Sequence, residues 1–302
     1  MKRKRYPLMT GLALGTGLLG LGLVKRIRRL QAEGLVWQKQ RRQALEVFAC
    51  PECGGALTVV SLQVEGGYLC PACQKVYPIV DGIPHFIETQ VLTGLNKRFS
   101  QMYDWFSWGY RLFSRVAFAH LGMPEETARR EITDRLDPHG GKVLEVSIGP
   151  GVNLPYLVKR PDVGEVFGLD ISLGQLTHCQ RYMRRHGWDV DLFLGNAEQL
   201  PFGDSIFDGV FHIGGINFFN NKKAAIDEMI RVARPGARLL IADENEKGAK
   251  GYDKFIPGFK KSFGGRRNQI VAPIDHVPGT MLELRFFNIW KGLFYCLEFR
   301  KP

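Results

Sequence analysis

Short apolar runs rich in β-branched residues recur through the second half of the chain, at Lys142–Ser147, Glu165–Asp170, Val190–Leu194, Ile206–Ile213 and Arg238–Asp243. Each is short enough to read as a strand. Between them Leu173–His186 and Lys222–Ala233 place apolar residues at helical spacing, and a further helix is expected from about Asn153. Strands separated by helices predict an α/β domain, a mostly parallel sheet with helices on both faces. Ligands of such sheets bind outside the carboxyl ends of the strands.

The first part of the chain is patterned differently. Leu8–Val24 is seventeen residues without a charge, flanked by Lys2–Arg5 and by Lys25-Arg-Ile-Arg-Arg29. That is the lower limit for a helix crossing a bilayer, and basic flanks suit the headgroup region, so a membrane anchor is expected. A cleavable signal peptide would end in small residues, not in Lys25–Arg29. The five glycines in the run leave a flexible apolar tail as the alternative. Gly11 and Gly15 form a small-xxx-small pair through which two such helices could pack as a homodimer. Residues 25–48 are expected to be helical and basic, with Ile27, Leu30, Leu35, Leu45 and Phe48 as a broken apolar face lying on the membrane surface. The formal charge of +11 changes meaning once it is divided. Eleven bases and the single acid Glu33 lie before residue 43, which leaves the remaining 260 residues at +1. A neutral body argues against a nucleic-acid partner.

Six cysteines divide into four and two. Cys50-Pro-Glu-Cys53 and Cys70-Pro-Ala-Cys73 are two C-x-x-C knuckles sixteen residues apart, a spacing that lets four thiolates close on one tetrahedral Zn²⁺. Such a site is structural, because no coordination position stays open. Two disulfides are the alternative, in an oxidising compartment. Cys179 and Cys296 read as buried apolar residues. With the following Val76-Tyr-Pro-Ile-Val-Asp-Gly-Ile-Pro84, residues 48–87 resemble the zinc ribbon known as the activator subunit of tRNA and release-factor methyltransferases.

A second resemblance covers about residues 99–300. Glu145-Val-Ser-Ile-Gly-Pro-Gly151, Asp170 nineteen residues on, Gly195-Asn-Ala-Glu-Gln-Leu-Pro-Phe202, Phe207-Asp-Gly-Val210 and Glu228–Gly236 are similar to the motif series of class I S-adenosylmethionine-dependent methyltransferases. Within that superfamily they most resemble the ubiquinone and menaquinone biosynthesis branch. The resemblance implies a Rossmann-like sheet closed by an antiparallel hairpin, with Trp290–Phe299 as its last strand. It implies that Gly149 and Gly151 pass under the methionine part of S-adenosylmethionine, that Glu145 fixes its ammonium and that Asp170 accepts from the ribose hydroxyls. Ile171 then covers the adenine, and Asn196 and Ala197 meet its edge. Two positions depart from the family pattern, Ser147 where a glycine usually stands and Asn196 where an Asp usually stands.

The acceptor is less defined. No Asn-Pro-Pro-Tyr follows the fourth strand, which counts against a nucleobase amine or a glutamine amide as acceptor. The chain there reads His212-Ile-Gly-Gly-Ile-Asn217, so His212 or Asn217 could act as base or orient an acceptor, or be satisfied polar residues at a strand end. Phe99–Phe118 is dense in aromatic residues, which suits an apolar acceptor, and the resemblance implies that a helical segment here lids the cofactor and shapes the acceptor pocket. Glu244–Met281 reads as a loop with a cluster of bases that could meet anionic headgroups or a phosphorylated substrate. The expected organisation is an anchor and basic helix over residues 1–47, a zinc ribbon over 48–90 and a methyltransferase domain over 91–302. The expected function is methylation of a lipophilic small molecule at the membrane surface, with the catalytic domain in the cytoplasm. The alternatives are an RNA or protein methyltransferase and a non-catalytic cofactor-binding scaffold.

Overall fold

The structure, a computed structural model, describes residues 38–61, 66–249 and 270–302. A small antiparallel sheet comes first, in the order β1 (Thr58–Ser61), β2 (Gly66–Leu69), β3 (Val76–Val80) and β4 (Ile83–Pro84). Tyr68 and Tyr77 sit opposite each other on β2 and β3, and both are buried. A helix over residues 38–46, α1, precedes this sheet.

The large domain begins with three helices, α2 (Gly94–Phe106), α3 (Tyr110–His120) and α4 (Glu125–Thr133). The alternation then follows as β5 (Gly141–Val146), α5 (Leu154–Leu157), β6 (Val163–Asp170), α6 (Leu173–His186), β7 (Asp191–Leu194), β8 (Phe207–Ile213), α7 (Lys222–Val232) and β9 (Ala233–Glu244). It ends in the hairpin β10 (Leu282–Ile289) and β11 (Phe294–Arg300). The seven strands lie in the order β10-β11-β9-β8-β5-β6-β7, parallel from β9 to β7 and antiparallel across β11. The parallel strands bury both faces, as helices on both sides require. Leu144 and Val146 of β5 pack into one core with Phe167 and Phe193, while Val143 joins the other with Val166 and Phe211. Local chemistry sets the helix ends: Ser172 Oγ accepts from Gln175 N at the start of α6, left-handed Gly187 ends it, and Asn221 caps α7.

The small sheet is joined to the large one through an edge. β7 is the outermost parallel strand, and an open edge presents unpaired backbone groups. Here Phe86 N donates to Leu194 O at 2.8 Å, with His85 paired in parallel beside Leu194. Gly203 N donates to Val47 O at 2.8 Å and Ala49 N to Pro201 O at 3.2 Å. Over this seam Phe48 contacts the rings of Tyr68, Phe86, Phe193 and Phe202 with centroids 5.0 to 6.0 Å apart. The ribbon and the large domain therefore share one aromatic core.

Several expectations are corrected. The membrane anchor is not supported: among the described residues no helix is long and apolar enough to cross a membrane, and Leu8–Val24 lies outside the described residues. The expected anchored localisation falls with it. The placement of residues 25–48 on a membrane surface fails for the described part. α1 and the residues after it bury Ala44, Val47 and Phe48 against the protein, Leu45 points outward, and Lys39 bonds Asp189 and Asp191, both at 2.9 Å. The anchor-mediated homodimer has no support among the described residues. The final strand does not begin at Trp290: Trp290–Gly292 is a turn in which Trp290 and Lys291 take positive φ, and β11 starts at Phe294. The helix from Asn153 is a single turn, Leu154–Leu157. Most of the basic loop expected between Glu244 and Met281 lies outside the described residues.

Phe48→Ala should cost about 3 kcal/mol or more, the usual result of truncating a buried Phe. Urea unfolding measures it. An unchanged midpoint would show that the shared aromatic core does not hold the two parts together.

Candidate metal centre and cofactor cleft

Each knuckle is the same backbone turn. Gly54 N donates to Cys50 O and Gln74 N to Cys70 O, both at 2.8 Å, while Cys50 N and Cys70 N donate to Gly55 O and Lys75 O. Each turn carries its two thiols to one point, so that the Sγ atoms of Cys50, Cys53, Cys70 and Cys73 lie within 4.8 Å of one another. Gly55 must be small: a Cβ there would meet Cys70 Sγ at 3.2 Å and Cys53 Sγ at 3.3 Å. Backbone N–H groups of Cys73 and Ala72 face Cys70 and help bring its thiol down to about 7. Tyr77 Oη lies 3.1 Å from Cys50 Sγ. The donor set is the one zinc prefers, four sulfurs in two paired turns, and it leaves no open coordination position.

The second site opens at the carboxyl ends of β5, β6 and β8. The turn after β5 carries Ser147 with φ +61, a left-handed conformation costing about 1 kcal/mol for a non-glycine residue. Gly149 follows, and its N–H donates to Asp170 Oδ2 at 2.8 Å, while Ser172 N donates to Oδ1 at 2.9 Å. Two backbone donors thus fix the carboxylate at the end of β6 and leave further lone pairs on each oxygen. Glu145 is buried at the end of β5, where Asn153 Nδ2 donates to its Oε1 at 2.6 Å and Oε2 has no partner. Burial pushes Glu145 up to about 8 and Asp170 up to about 6.

The cleft brings together Glu145, Ser147, Gly149, Asp170, Ile171, Asn196 and Ala197 of the expected set. Gly151 is near but does not line it. A Cβ there would stand 2.8 Å from Cys179 Sγ and 2.8 Å from Leu154 Cδ1, so this glycine serves the packing of the turn on α6. Asn196 Oδ1 accepts from Glu198 N at 3.0 Å, which shapes the loop after β7. His212 and Asn217 do not line the cleft. The pleat of β8 turns His212 inward, where Nδ1 meets Val146 O at 3.0 Å, and burial lowers its pKa and favours the neutral ring. Asn217 donates from its backbone to Asp243 Oδ2 and from its side chain to Glu244 O, while Lys222 Nζ donates to its Oδ1. Both residues brace the floor of the site.

The aromatic segment divides between two tasks. Phe99, Tyr103 and Tyr110 line the cofactor cleft, and Phe99 stacks on Phe218 at 4.1 Å. Phe113 and Phe118 turn to a neighbouring apolar cavity, closed on its other side by Trp290, Leu293 and Phe294. Trp105 and Trp108 face outward. α2 is fixed over α6 because Asp104 Oδ1 accepts from Gly174 N at 2.8 Å and from Ser172 Oγ at 2.6 Å. Cleft and cavity meet at Tyr110, Arg129, Ile213 and Gly214; Tyr110 belongs to the expected aromatic lid, while no site role was expected of the other three. The Gly-Gly pair after β8 was a visible signal for Gly214. Nothing sets Arg129 apart from its neighbour Arg130 in the sequence.

The cleft fits a ligand with both charge signs and several hydrogen-bonding groups. Of nine buried side-chain polar atoms without a partner among the described residues, five belong to Arg129, Glu145, Asn153 and Gln175, which line it. Such atoms are costly unless a ligand satisfies them. Glu145 Oε2 suits an ammonium, Asp170 a pair of hydroxyls and Ile171 a flat ring.

Comparison with known proteins agrees with this geometry. Residues 144–241 match the methyltransferase domain family and residues 41–82 the Trm112p-like protein family. A demethylmenaquinone methyltransferase of Renibacterium salmoninarum is 39% identical over 106 residues, 34% of this chain and 41% of that protein. A phthiotriol/phenolphthiotriol dimycocerosates methyltransferase of Mycobacterium tuberculosis is 32% identical over 125 residues, 41% of this chain and 44% of that one. The chain thus spans about two-fifths of each of these relatives. Among solved structures, phosphoethanolamine N-methyltransferase 2 of Haemonchus contortus in complex with S-adenosylmethionine superposes with a TM-score of 0.53 at 14% identity, over 70% of this chain and 61% of that one, and shares the fold. The chain is a class I S-adenosylmethionine-dependent methyltransferase fold joined to a Trm112p-like zinc module.

Two outcomes test these sites. Cys70→Ser should remove the bound zinc, measured by metal analysis of the purified protein, and full retention of metal would contradict a four-thiolate centre. Glu145 is raised from its usual 4.5 to about 8 in the folded chain, so between those values the folded state binds more protons than the unfolded one and stability falls as pH rises. Thermal unfolding without cofactor should show the wild type losing more stability than Glu145→Gln between pH 5 and pH 8. Parallel losses would contradict the buried neutral carboxyl.

Proposed function

We propose that the chain transfers a methyl group from S-adenosylmethionine to a lipophilic small molecule held in the apolar cavity beside the cofactor cleft. The observation that carries this reading is the cavity itself, about 340 Å³ and walled by Phe113, Phe118, Leu121, Trp290 and Phe294. It meets the cleft at Tyr110, Arg129, Ile213 and Gly214, which line both spaces. Ligand pockets of this kind are apolar with few polar groups, which then decide orientation. The demethylmenaquinone and dimycocerosate methyltransferases carry names of lipophilic acceptors, which supports the same class here.

The cofactor, when bound, supplies an activated methyl group on a sulfonium. Glu145 would hold its ammonium, Asp170 its ribose hydroxyls, Ile171 and Ala197 its adenine, and the turn from Ser147 to Gly149 would lie under its amino-acid part. What remains for the chain is geometry. α2 and α3 exclude water from the junction, and the cavity walls hold the acceptor in line with the methyl group, a positioning effect worth several orders of magnitude in rate. His212, held through Nδ1 by Val146, and Asn217, held by Glu244 and Lys222, support the Gly214–Gly215 turn.

An RNA or protein acceptor is the second reading, favoured by the Trm112p-like match. The net charge of +1 over the chain after residue 42 weighs against RNA. Incubation of the zinc-loaded protein with methyl-labelled cofactor and, separately, lipid extract, RNA and protein extract separates the readings. Label should enter the organic-soluble fraction. Transfer to RNA or polypeptide alone would overturn the proposal. Ala117→Trp, which fills the cavity, should abolish that transfer while leaving cofactor affinity within about twofold, since the cleft and its hydrogen bonds are untouched.

A further inference from the structure

We infer that α3 and the end of α2 form a face that docks reversibly on an anionic lipid surface, with Trp105, Trp108, Leu112 and Val116 settling among the headgroups. The face is defined by its own residues, and only its use as a route for the acceptor rests on the reading of the apolar cavity as the acceptor site. It needs no segment that crosses the bilayer.

α3 is apolar on two opposite sides. Phe113, Ala117, Phe118 and Leu121 turn to the apolar cavity, whereas Leu112 and Val116 are 67% and 58% exposed. Trp108, in the turn before α3, continues the outer line at the same four-residue spacing, and Trp105 ends α2 beside it. These two rings are 74% and 76% exposed. A helix that presents apolar residues on both sides needs a second partner, and exposed rings gathered in one place mark an interaction surface. The cavity reaches this face, because Val116 both lines it and is exposed.

Charge selects the occupant. Residues 94–120 and 173–186, which hold α2, α3 and α6, carry seven Lys and Arg against the single acid Asp104, although the chain after residue 42 is at +1 as a whole. Asp104 is taken up by Ser172 Oγ and Gly174 N, which tie α2 to α6. Arg98 stands two turns before Trp105 on the same side of α2, and Arg115 flanks Leu112 and Val116 on α3; both are exposed. The Arg111 guanidinium lies over the Tyr182 ring of α6, and exposed Arg181 is next to it in the chain. A second copy of this chain would bring the same charge to the same place, which opposes it. Anionic lipid matches both parts of the face. Trp rings settle at the headgroup level, Leu and Val enter the acyl boundary, and Arg side chains stay with the phosphates. Docked in this way, the protein would take a lipophilic acceptor into the cavity past Val116 without an aqueous step.

Vesicle flotation of the zinc-loaded full chain tests this with neither acceptor nor cofactor present. The protein should float with vesicles made of equal parts phosphatidylcholine and phosphatidylglycerol, less with phosphatidylcholine alone, and less in high salt. Leu112→Glu with Val116→Glu should weaken the attachment about tenfold or more, and Arg98→Glu with Arg115→Glu should do the same. All four side chains are exposed, so the urea midpoint should stay in place. Trp105→Phe with Trp108→Phe should keep the attachment and lose most of the quenching of tryptophan fluorescence by bromine-labelled lipid. Unchanged attachment in both charge-reversed variants would assign the lipid contact to another part of the chain and overturn the inference, leaving the acceptor-site reading intact. Self-association or RNA binding through these residues, without attachment to vesicles, would overturn it as well. Attachment through this face with no label entering the organic-soluble fraction would uphold the docking and remove only the acceptor reading.

Discussion

The edge of β7 is where this protein's two parts depend on each other. A parallel sheet needs its outer strand covered, and a module of about forty residues with four thiols has too little core to stand alone. The bond from Phe86 N to Leu194 O and the rings gathered on Phe48 meet both needs at one place. Leu194 runs directly into Gly195, Asn196 and Ala197, which line the cofactor cleft. The cysteine turns, the seam and the β7 end of the cleft therefore form one continuous structure.

The cleft has the opposite character, a set of polar groups held in place and left unsatisfied. Burial raises both Glu145 and Asp170, so a ligand that brought an ammonium and hydroxyls to them would favour their ionised forms. The backbone donors of Gly149 and Ser172 and the amide of Asn153 hold these carboxyls in register at the strand ends. Arg129 extends the same logic across the junction into the apolar cavity. Polar groups on one side and rings on the other give two adjoining spaces of different chemistry.

Much of this was legible in the chain because its signals are local. The strands and helices from Gly141 to Val232 lie within a residue or two of their expected limits, since period-two and helical patterns, the caps Ser172 and Asn221 and the glycine at Gly187 all act over a few positions. The four cysteines followed from their spacing, and Glu145, Ser147, Gly149, Asp170, Ile171, Asn196 and Ala197, which the family resemblance implied, all line the cleft, whereas Asn96, Arg129, Asn153 and Gln175 carried no such signal. What was not legible depends on distant partners. Residues 38–48 are basic and amphipathic, and only the structure shows that Val47 and Phe48 face the protein, because their partners Phe193 and Phe202 come some 150 residues later. Arg129 looks like any helical arginine until Phe118 and Trp290 enclose it. His212 and Asn217 sit where motif logic points, yet they bond Val146 and Glu244 and do not line the cleft, which no local pattern signals.

The dependence of the cleft on the zinc-held edge is the claim that joins these parts. Hydrogen–deuterium exchange, followed together with calorimetric binding of S-adenosylmethionine before and after zinc is removed by a chelator, tests it most directly. Removal should expose the amides of Phe86 and of the stretch from Phe193 to Ala197 to exchange and weaken cofactor binding in the same step. If the ribbon lost its metal while those amides stayed protected and the affinity did not change, the seam would be ornament and the account would be wrong.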